Sequence, residues 1–263
     1  MKFYITILII FIYLYSSGQT LQDSITIRTN EILQKNNGST VTVIEKKELV
    51  TNAYFFQNQA FELDEIKYDY ENALMYTDKA LEIWISLKDS VNEANLRKYK
   101  GFLLGHLNRY DEGKKEIYRA ITLFNIKGKA YGVAVSQFDL SRVYEFESIL
   151  DSAIYFANIA LNYWKIQADT DRIMIVNNQL INLFLQSKDI EQAKKVHAKT
   201  VKLLNKENIH WQPLIDYYFL SAKLFENLKP AETSFKYKKL YADKINELKQ
   251  RNIITKSKYA LQN

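Results

Sequence analysis

The stretch DSAIYFANIALNYW, residues 151–164, decides the fold of this chain. Its apolar residues recur at the spacing of an amphipathic helix, and Ala153 and Ala160 place small side chains seven residues apart. The pattern returns as ENALMYTDKALEIW at 71–84 and as EGKKEIYRAITLF at 112–124, with an offset of 40 residues each time. Self-similarity at a fixed period predicts a helical repeat protein.

Columns of small and apolar residues run through the forty-residue register. The first small position holds Ala73, Gly113, Ala153, Ala193 and Thr233. The second holds Ala80, Ala120, Ala160 and Thr200, and then lapses at Leu240. The preceding helix repeats as well, with Leu140, Leu180 and Leu220 in one column and Gly101, Ser141, Ile181 and Ser221 in the next. Small residues at these positions indicate sites where two helix backbones approach each other closely.

Each unit therefore reads as two amphipathic helices that cannot bury both faces alone, so that successive copies stack. The predicted units are 54–93, 94–133, 134–173, 174–213 and 214–253. Polar connectors join the two helices of a unit as NRYDE, EFESILD, QSKDI and ENLKP, and we expect their Asp, Glu, Asn or Ser residues to cap the next helix. In the first unit Phe56 and Ala60 are displaced by one residue, which predicts a longer connector there.

The segments LSRVY (140–144) and LDSAIYFANIAL (150–161) carry a family resemblance. Their small–large spacing resembles the tetratricopeptide repeat (TPR) in its forty-residue variety. The resemblance covers about 54–253 and implies an all-α fold, a right-handed superhelical solenoid of about five helix-turn-helix repeats. Only 7 Gly and 2 Pro among 263 residues also argue against an all-β fold.

The N-terminus has the layout of a secretory signal peptide. Lys2 precedes an apolar run at 3–15, and Ser16, Ser17 and Gly18 follow it, so we predict a signal peptide at 1–18 and an exported protein, periplasmic or secreted. An uncleaved anchor is the alternative. The absence of cysteine excludes disulfides and thiolate chemistry. Residues 19–53 do not join the repeat register and are interpreted as an N-terminal helical cap.

The positive charge is concentrated at the C-terminal end. Residues 229–263 carry nine basic and three acidic side chains, and 254–263 form the predicted basic tail. Such a segment is either a solvated helix face or a surface for an anionic partner. Export argues against nucleic acid, whereas membrane contact through this helix or through an uncleaved signal segment is left open.

The sequence contains none of the usual catalytic motifs, neither a glycine-rich phosphate loop nor G-x-S-x-G nor H-E-x-x-H. His106, His197 and His210 occupy unrelated positions of different units, without a second ligand at metal-binding spacing. Glu145 and Glu147 are two residues apart and point to different faces of a helix. We therefore predict a protein that is not an enzyme and has no metal or cofactor.

The TPR resemblance implies that the first helix of each unit lines a concave groove that binds a protein or peptide. Asn178 and Asn182, four residues apart, are predicted to grip a peptide backbone, and Lys98 and Arg142 to pair with an acidic group of the partner. The alternative is that these polar residues are simply solvated. The groove lining carried over by this register is Asn95, Lys98, Phe102 and His106; Phe138, Arg142, Glu145 and Phe146; Asn178, Asn182 and Gln186; and Tyr218 and Phe225.

An export signal, forty-residue repeats and a charged helical tail together are similar to the periplasmic sensor half of flavobacterial regulators. In those proteins a membrane helix and an output domain follow the repeats. The resemblance implies either a truncated relative or a sensor that acts through a separate partner. The competing hypothesis is a structural or assembly protein of the cell envelope, or a homo-oligomer, that acts through its repeat face.

Overall fold

The fold is all-α, as predicted. The computed structural model describes residues 21–36, 42–205, 209–226, 228 and 231–251, and within these ranges it contains eleven α-helices and no strand. The helices are α1 Leu21–Asn36, α2 Val43–Glu62, α3 Tyr70–Ser86, α4 Ser90–His106, α5 Tyr110–Ile126, α6 Ala130–Phe146, α7 Leu150–Ile166, α8 Thr170–Gln186, α9 Ile190–Val201, α10 Trp211–Glu226 and α11 Ala231–Gln250. Each helix packs against the next along the chain.

The helices from α3 to α9 begin at regular intervals of half a unit. Their first residues are Tyr70, Ser90, Tyr110, Ala130, Leu150, Thr170 and Ile190. The forty-residue period therefore divides into two helical segments that are equal in length, each made of a helix and a short turn. Units cut at these turns begin at Ser90, Ala130 and Thr170, so the predicted limits at 94, 134 and 174 lie four residues inside the first helices.

The turns between these helices share one conformation. A residue with positive φ follows each helix end, and the residue after it donates its N–H back to a carbonyl in the last turn, as Arg109 does to Leu104 at 2.9 Å. Only one of the residues with positive φ is a glycine. They are Tyr68, Lys88, Asn108, Gly128, Ser148, Ala168 and Lys188.

The predicted side-chain caps are only partly present. Asp189 caps α9 through the N–H of Gln192, but Arg109 and Ile149 precede α5 and α7 without a side-chain cap. The turn accepts a capping side chain where the residue is aspartate, as at Asp189, but the position before α5 holds Arg109. α5 instead carries Asp111 and Glu112 in its first turn, where the helix dipole favours negative charge. The connector ENLKP lies partly outside the described residues.

The small-residue columns meet where the two helices of a unit cross. A Cβ atom added to Gly113 would lie 2.7 Å from the carbonyl oxygen of Gly101, so the backbones of α4 and α5 touch there. One unit later Ser141 Oγ donates to the carbonyl oxygen of Ala153 at 2.7 Å. Ala153 is completely buried, like Ala160 in the second column. These contacts explain why the apolar face of a helix carries its smallest side chains.

The first unit differs from the expectation of a longer connector. Its extra residue is absorbed inside the helix, because α2 continues as a π-helical segment, Leu63–Lys67, before the turn at Tyr68. A π-helical turn accommodates one additional residue, which accounts for the displacement of Phe56 and Ala60 by one position. The turn at Tyr68 thereby keeps its place in the register.

The predicted boundary between an N-terminal cap and the repeats, at 53/54, lies within a continuous helix. α2 runs from Val43 to Glu62 across it, and α1 packs against α2 through Ile32 and Leu33 and through a hydrogen bond from Asn52 Nδ2 to Thr29 Oγ1. The predicted signal peptide at 1–18 and the basic tail at 254–263 lie outside the described residues. None of the described helices is long and apolar enough to cross a membrane.

Candidate functional site: a groove along the first helices

A cavity of about 790 Å³ opens on the surface formed by the first helices of successive units. Its walls come from α6, α8 and α10 and from the residues just before α8 and α10. Its lining mixes aromatic rings, amides and charged groups of both signs. The lining residues include Tyr131, Phe138, Arg142, Arg172, Asn178, Gln179, Asn182, Asp216 and Phe219.

The cavity lies between the two successive first helices that pack least closely on each other, α6 and α8. α4 packs directly on α6, and α8 packs directly on α10, whereas α6 and α8 approach each other less closely. Polar side chains bridge the seam between α6 and α8. At one end of the seam Arg172 donates to the hydroxyl oxygen of Tyr131 at 2.9 Å, and its guanidinium lies over the rings of Tyr131 and Trp164.

At the other end of the seam a single carboxylate binds three amides. Glu145 on α6 accepts hydrogen bonds from Asn182 Nδ2, Gln179 Nε2 and Gln186 Nε2 on α8, each at 2.6 Å. We call this arrangement the Glu145 bridge. Hydrogen bonds to an ionised acceptor are among the stronger polar contacts in proteins, so the bridge joins the two units in place of direct helix packing. Glu147 points the other way, to Lys114 on α5 at 2.8 Å, as the spacing predicted.

An aromatic cluster extends the groove beyond the cavity toward α4. His106 stacks on Tyr70 with ring centroids 4.3 Å apart, and the rings of Phe102 and Phe146 contact it at 4.6 and 4.5 Å. Burial, together with the nearby positive charge of Arg142, lowers the pKa of His106 to about 4. The imidazole is therefore neutral at neutral pH and acts as one more flat ring.

Arg142 lies between the aromatic cluster and the cavity. Its guanidinium carbon is 3.9 Å from the centroid of the Phe102 ring, the geometry of a cation–π contact. The side chain is partly buried and also lines the cavity. Four of the predicted groove residues, Phe102, Phe138, Arg142 and Phe146, are thus neighbours along one continuous surface.

The predicted asparagine pair is divided between two structural contacts. Asn178 is buried, and its Nδ2 donates to the carbonyl oxygen of Pro213 at 2.8 Å, so it holds α10 against α8. Asn182 is part of the Glu145 bridge. The two amides therefore do not form a free pair in solvent, because each donates a hydrogen bond to a residue of a neighbouring helix. A partner that uses Asn182 has to share it with Glu145.

The remaining predicted residues lie outside the cavity. Lys98 pairs with Asp139 at 3.5 Å and thereby joins α4 to α6, while Asn95 is exposed on α4. Tyr218 is partly buried and turns toward Tyr237 of α11, at 6.4 Å between ring centroids. Phe225 stacks on the same Tyr237 ring at 5.7 Å. On α10 it is Phe219 that lines the cavity, one residue from the position that the register indicated.

The two remaining histidines differ: His197 takes part in packing, whereas His210 is exposed and lines the cavity. His197 is buried between α9, α10 and α11, where its Nε2 lies 2.8 Å from the hydroxyl of Tyr217 and 3.2 Å from that of Tyr237. His210 donates its backbone N–H to Asp171 at 2.9 Å. Within the part of the chain that the structure describes, no group of three or more metal-ligating side chains comes together.

Solved structures resemble this one, and TPR-like repeat proteins are among them, whereas no protein-family model and no curated protein matches the chain. BtubC (BKLC) from P. vanneervenii is 14% identical over 93% of this chain and 99% of its own, with a TM-score of 0.57. A Podosopora anserina kinesin light chain with nearly identical TPR-like repeats is 8% identical over 77% and 97%, with a TM-score of 0.56. The apo form of RapI is 12% identical over 82% and 89%, with a TM-score of 0.51.

At these identities the likeness concerns the fold. The chain has the all-α helical repeat fold of TPR-like proteins, which confirms the fold predicted from its sequence. The site residues themselves stay a prediction.

Proposed function

We propose that this protein is an exported, non-enzymatic TPR scaffold that binds a peptide or protein partner in the groove lined by α4, α6, α8 and α10. The observation that carries the proposal is the cavity at the seam between α6 and α8. Its volume of about 790 Å³ falls in the range of ligand pockets, and three successive first helices contribute to its walls.

The chemistry of the groove supports a macromolecular partner. Phe219 is 44% exposed at the cavity, and the rings of Phe102, Phe138 and Phe146 continue the surface toward α4. Aromatic residues and arginine are enriched at protein interfaces, where they supply contact area at low conformational cost. The amides of the Glu145 bridge add donors that suit a peptide backbone.

A sensor role in the cell envelope is the more specific form of the proposal. It is supported by the signal-like segment at 1–18 and by the resemblance to the exported repeat regions of flavobacterial regulators. In such a system the groove binds a partner outside the cytoplasm, and a separate signalling protein responds to the bound state. N-terminal sequencing of the protein from the periplasmic fraction tests export, with Gln19 expected as the first residue.

The groove is tested by affinity capture from envelope extract with two matched variants. Asn182→Ala with Phe219→Ala alters the cavity, and Tyr118→Ala with Tyr155→Ala removes exposed rings from the second helices α5 and α7. We expect the first variant to lose the partner and the second to keep it. Asn178 is left intact because it anchors Pro213. Equal recovery of the partner by all three proteins would contradict the proposal.

One observation favours the alternative, an assembly protein or homo-oligomer. Ile126 and Ile166 occupy equivalent positions at the ends of α5 and α7 and are 71% and 81% exposed. Apolar side chains at the same position of successive units give another copy of the chain a repeated contact surface. Mass measurement over a range of concentrations separates the two functions. A stable oligomer that loses its subunit contacts with Ile126→Ser and Ile166→Ser would favour assembly.

A further inference from the structure

A second cavity lies apart from the groove, beside the turns that join one unit to the next. Its volume is about 370 Å³, and its walls come from α2, from the end of α3 with the turn into α4, and from the turn that follows α5. It shares no lining residue with the groove cavity. A ligand of this second cavity therefore has a site of its own.

Three lysines from three separate elements surround the second cavity. Lys46 is on α2, Lys88 is in the turn between α3 and α4, and Lys127 is in the turn after α5. Within the ranges that the structure describes, none of the three forms an ion pair, whereas Lys98 and Lys114 each pair with a carboxylate of the next unit. Like charges around one cavity repel each other, and the fold itself gains nothing from that repulsion.

The acids beside these lysines in the chain are already bound. Asp89, the acid in the cavity lining, accepts hydrogen bonds from the backbone N–H and the side-chain amide of Asn92, each at 3.0 Å. Glu45 accepts a hydrogen bond from Lys35 at 2.7 Å. Lys127 has no acidic residue within two positions in the sequence. The positive charge of the cavity is therefore not neutralised by its nearest carboxylates.

The remaining walls of the second cavity are mostly apolar. Val50, Leu87 and Val91 line it together with Trp84, whose side chain is only 2% exposed. The indole N–H of Trp84 donates to Gln57 at 3.1 Å, which fixes the ring in place. Apolar walls exclude water from one side of the lysines, and the attraction between opposite charges is stronger where water is excluded.

We propose that the second cavity is a binding site for a phosphate group, held by Lys46, Lys88 and Lys127. Three ammonium groups match a multiply charged anion, and a phosphate monoester carries about −1.5 to −2 charges at pH 7 with three acceptor oxygens, whereas a carboxylate carries one charge. Lysine binds phosphate as a point charge and needs no planar fork. The group has two possible sources, a soluble phosphate compound or the headgroup of an anionic lipid.

The soluble probes are inorganic phosphate and pyrophosphate, titrated at low salt because salt screens exposed charges. Acetate is the singly charged control. We expect pyrophosphate to bind more tightly than phosphate, and phosphate more tightly than acetate. Vesicles of phosphatidylcholine, with and without phosphatidic acid, test the lipid source. Binding of the soluble probes identifies a free phosphate compound, whereas binding to the acidic vesicles alone identifies a lipid headgroup.

Two matched triple variants separate the cavity from the general positive charge of the chain, which is +6. The cavity variant carries Lys46→Gln, Lys88→Gln and Lys127→Gln, and the control variant carries Lys188→Gln, Lys195→Gln and Lys199→Gln at exposed positions. Lys188 also matches Lys88 in being a turn residue with positive φ. We expect the cavity variant to bind the phosphate probe at least about tenfold more weakly. The control variant should change the affinity less than about twofold.

A second measurement needs no protein variant. In amide NMR spectra, added pyrophosphate should shift the signals of Ser90, Val91 and Lys127 and leave those of Asn182 and Phe219 in the groove unchanged. Equal weakening in both triple variants, acetate bound as tightly as pyrophosphate, or no binding of any phosphate probe would overturn the phosphate site. These outcomes leave the proposed function of the groove untouched, because the two cavities are separate.

Discussion

Asn182 Nδ2 donates to Glu145 Oε1 at 2.6 Å across the seam between α6 and α8. The contact joins two units whose first helices pack less closely than those on either side. Because the same carboxylate also binds Gln179 and Gln186, one acidic residue holds the wall of the cavity together. The candidate site is thus built around the polar seam of an otherwise closely packed stack.

Glu145→Ala should loosen this seam. The substitution removes the shared acceptor of three amides, which are exposed enough for water to replace part of what is lost, so we expect a loss of about 1–3 kcal/mol in the free energy of unfolding. Hydrogen exchange should become faster in the second half of α8. Glu82→Ala on the exposed face of α3 serves as the control. Unchanged exchange in α8 would show that the bridge has no structural role.

Gly113→Ala tests the close approach of α4 and α5. The new methyl group would lie 2.7 Å from the carbonyl oxygen of Gly101, a backbone atom that cannot rotate away. The helices must separate, and we expect a net destabilisation of about 1–3 kcal/mol in urea unfolding, even though alanine favours helix formation.

Gly128→Ala is the matched control for Gly113→Ala. Gly128 has a φ of 61° at a turn with open space around it, and Ala168 adopts a φ of 52° at the equivalent turn of the next unit. An alanine at 128 therefore meets no clash and costs only the strain of the left-handed backbone, about 1–2 kcal/mol. If Gly128→Ala lowered the free energy of unfolding more than Gly113→Ala does, the close approach of the two helices would be refuted.

Stability should fall as the pH is lowered from about 6.5 to 4, in part through His197. Burial lowers the pKa of His197 to about 4 in the folded protein, whereas an unfolded histidine titrates near 6.5. Between these values the unfolded state binds a proton that the folded state does not, so the free energy of unfolding decreases by up to about 1.4 kcal/mol per pH unit.

His197→Gln should reduce that slope. Burial also lowers the pKa of His106 to about 4, so His106 destabilises the fold in the same direction as the pH falls. The double variant His106→Gln with His197→Gln should therefore show a still smaller slope of unfolding free energy against pH. The measurement is urea unfolding at several pH values. The same slope in the wild type and the double variant would contradict the assignment.

The fold was predictable because its packing depends on residue size at fixed intervals. Ala153 and Ala160 are buried where helices cross, and the sequence shows them as columns. The positions of the turns could not be predicted from the sequence in the same way. Residues such as Lys88 and Ala168 adopt the positive φ that a sequence marks clearly only when glycine is present, as at Gly128. The equal spacing of the helices therefore emerged only from the structure.

The site was only partly predictable because its polar contacts join different units. The register placed Phe138 and Arg142 on one face of α6, and both line the cavity. Asn178, however, bonds to Pro213, 35 residues later, and no local pattern indicates that contact. The Glu145 bridge had a weak signal, since Gln179, Asn182 and Gln186 form a stripe of amides on one face of α8. Its acceptor on α6 could not be identified from spacing alone.

Photo-crosslinking tests the central claim, that the groove of the first helices binds the partner. A benzophenone amino acid is placed at Phe219, 44% exposed at the cavity, or at Tyr155, 61% exposed on α7. Aromatic residues already occupy both positions, so the label disturbs either one similarly. On illumination in envelope preparations, the account predicts a partner crosslinked from position 219 and none from position 155. Crosslinks from position 155 alone, or equally from both positions, would contradict it.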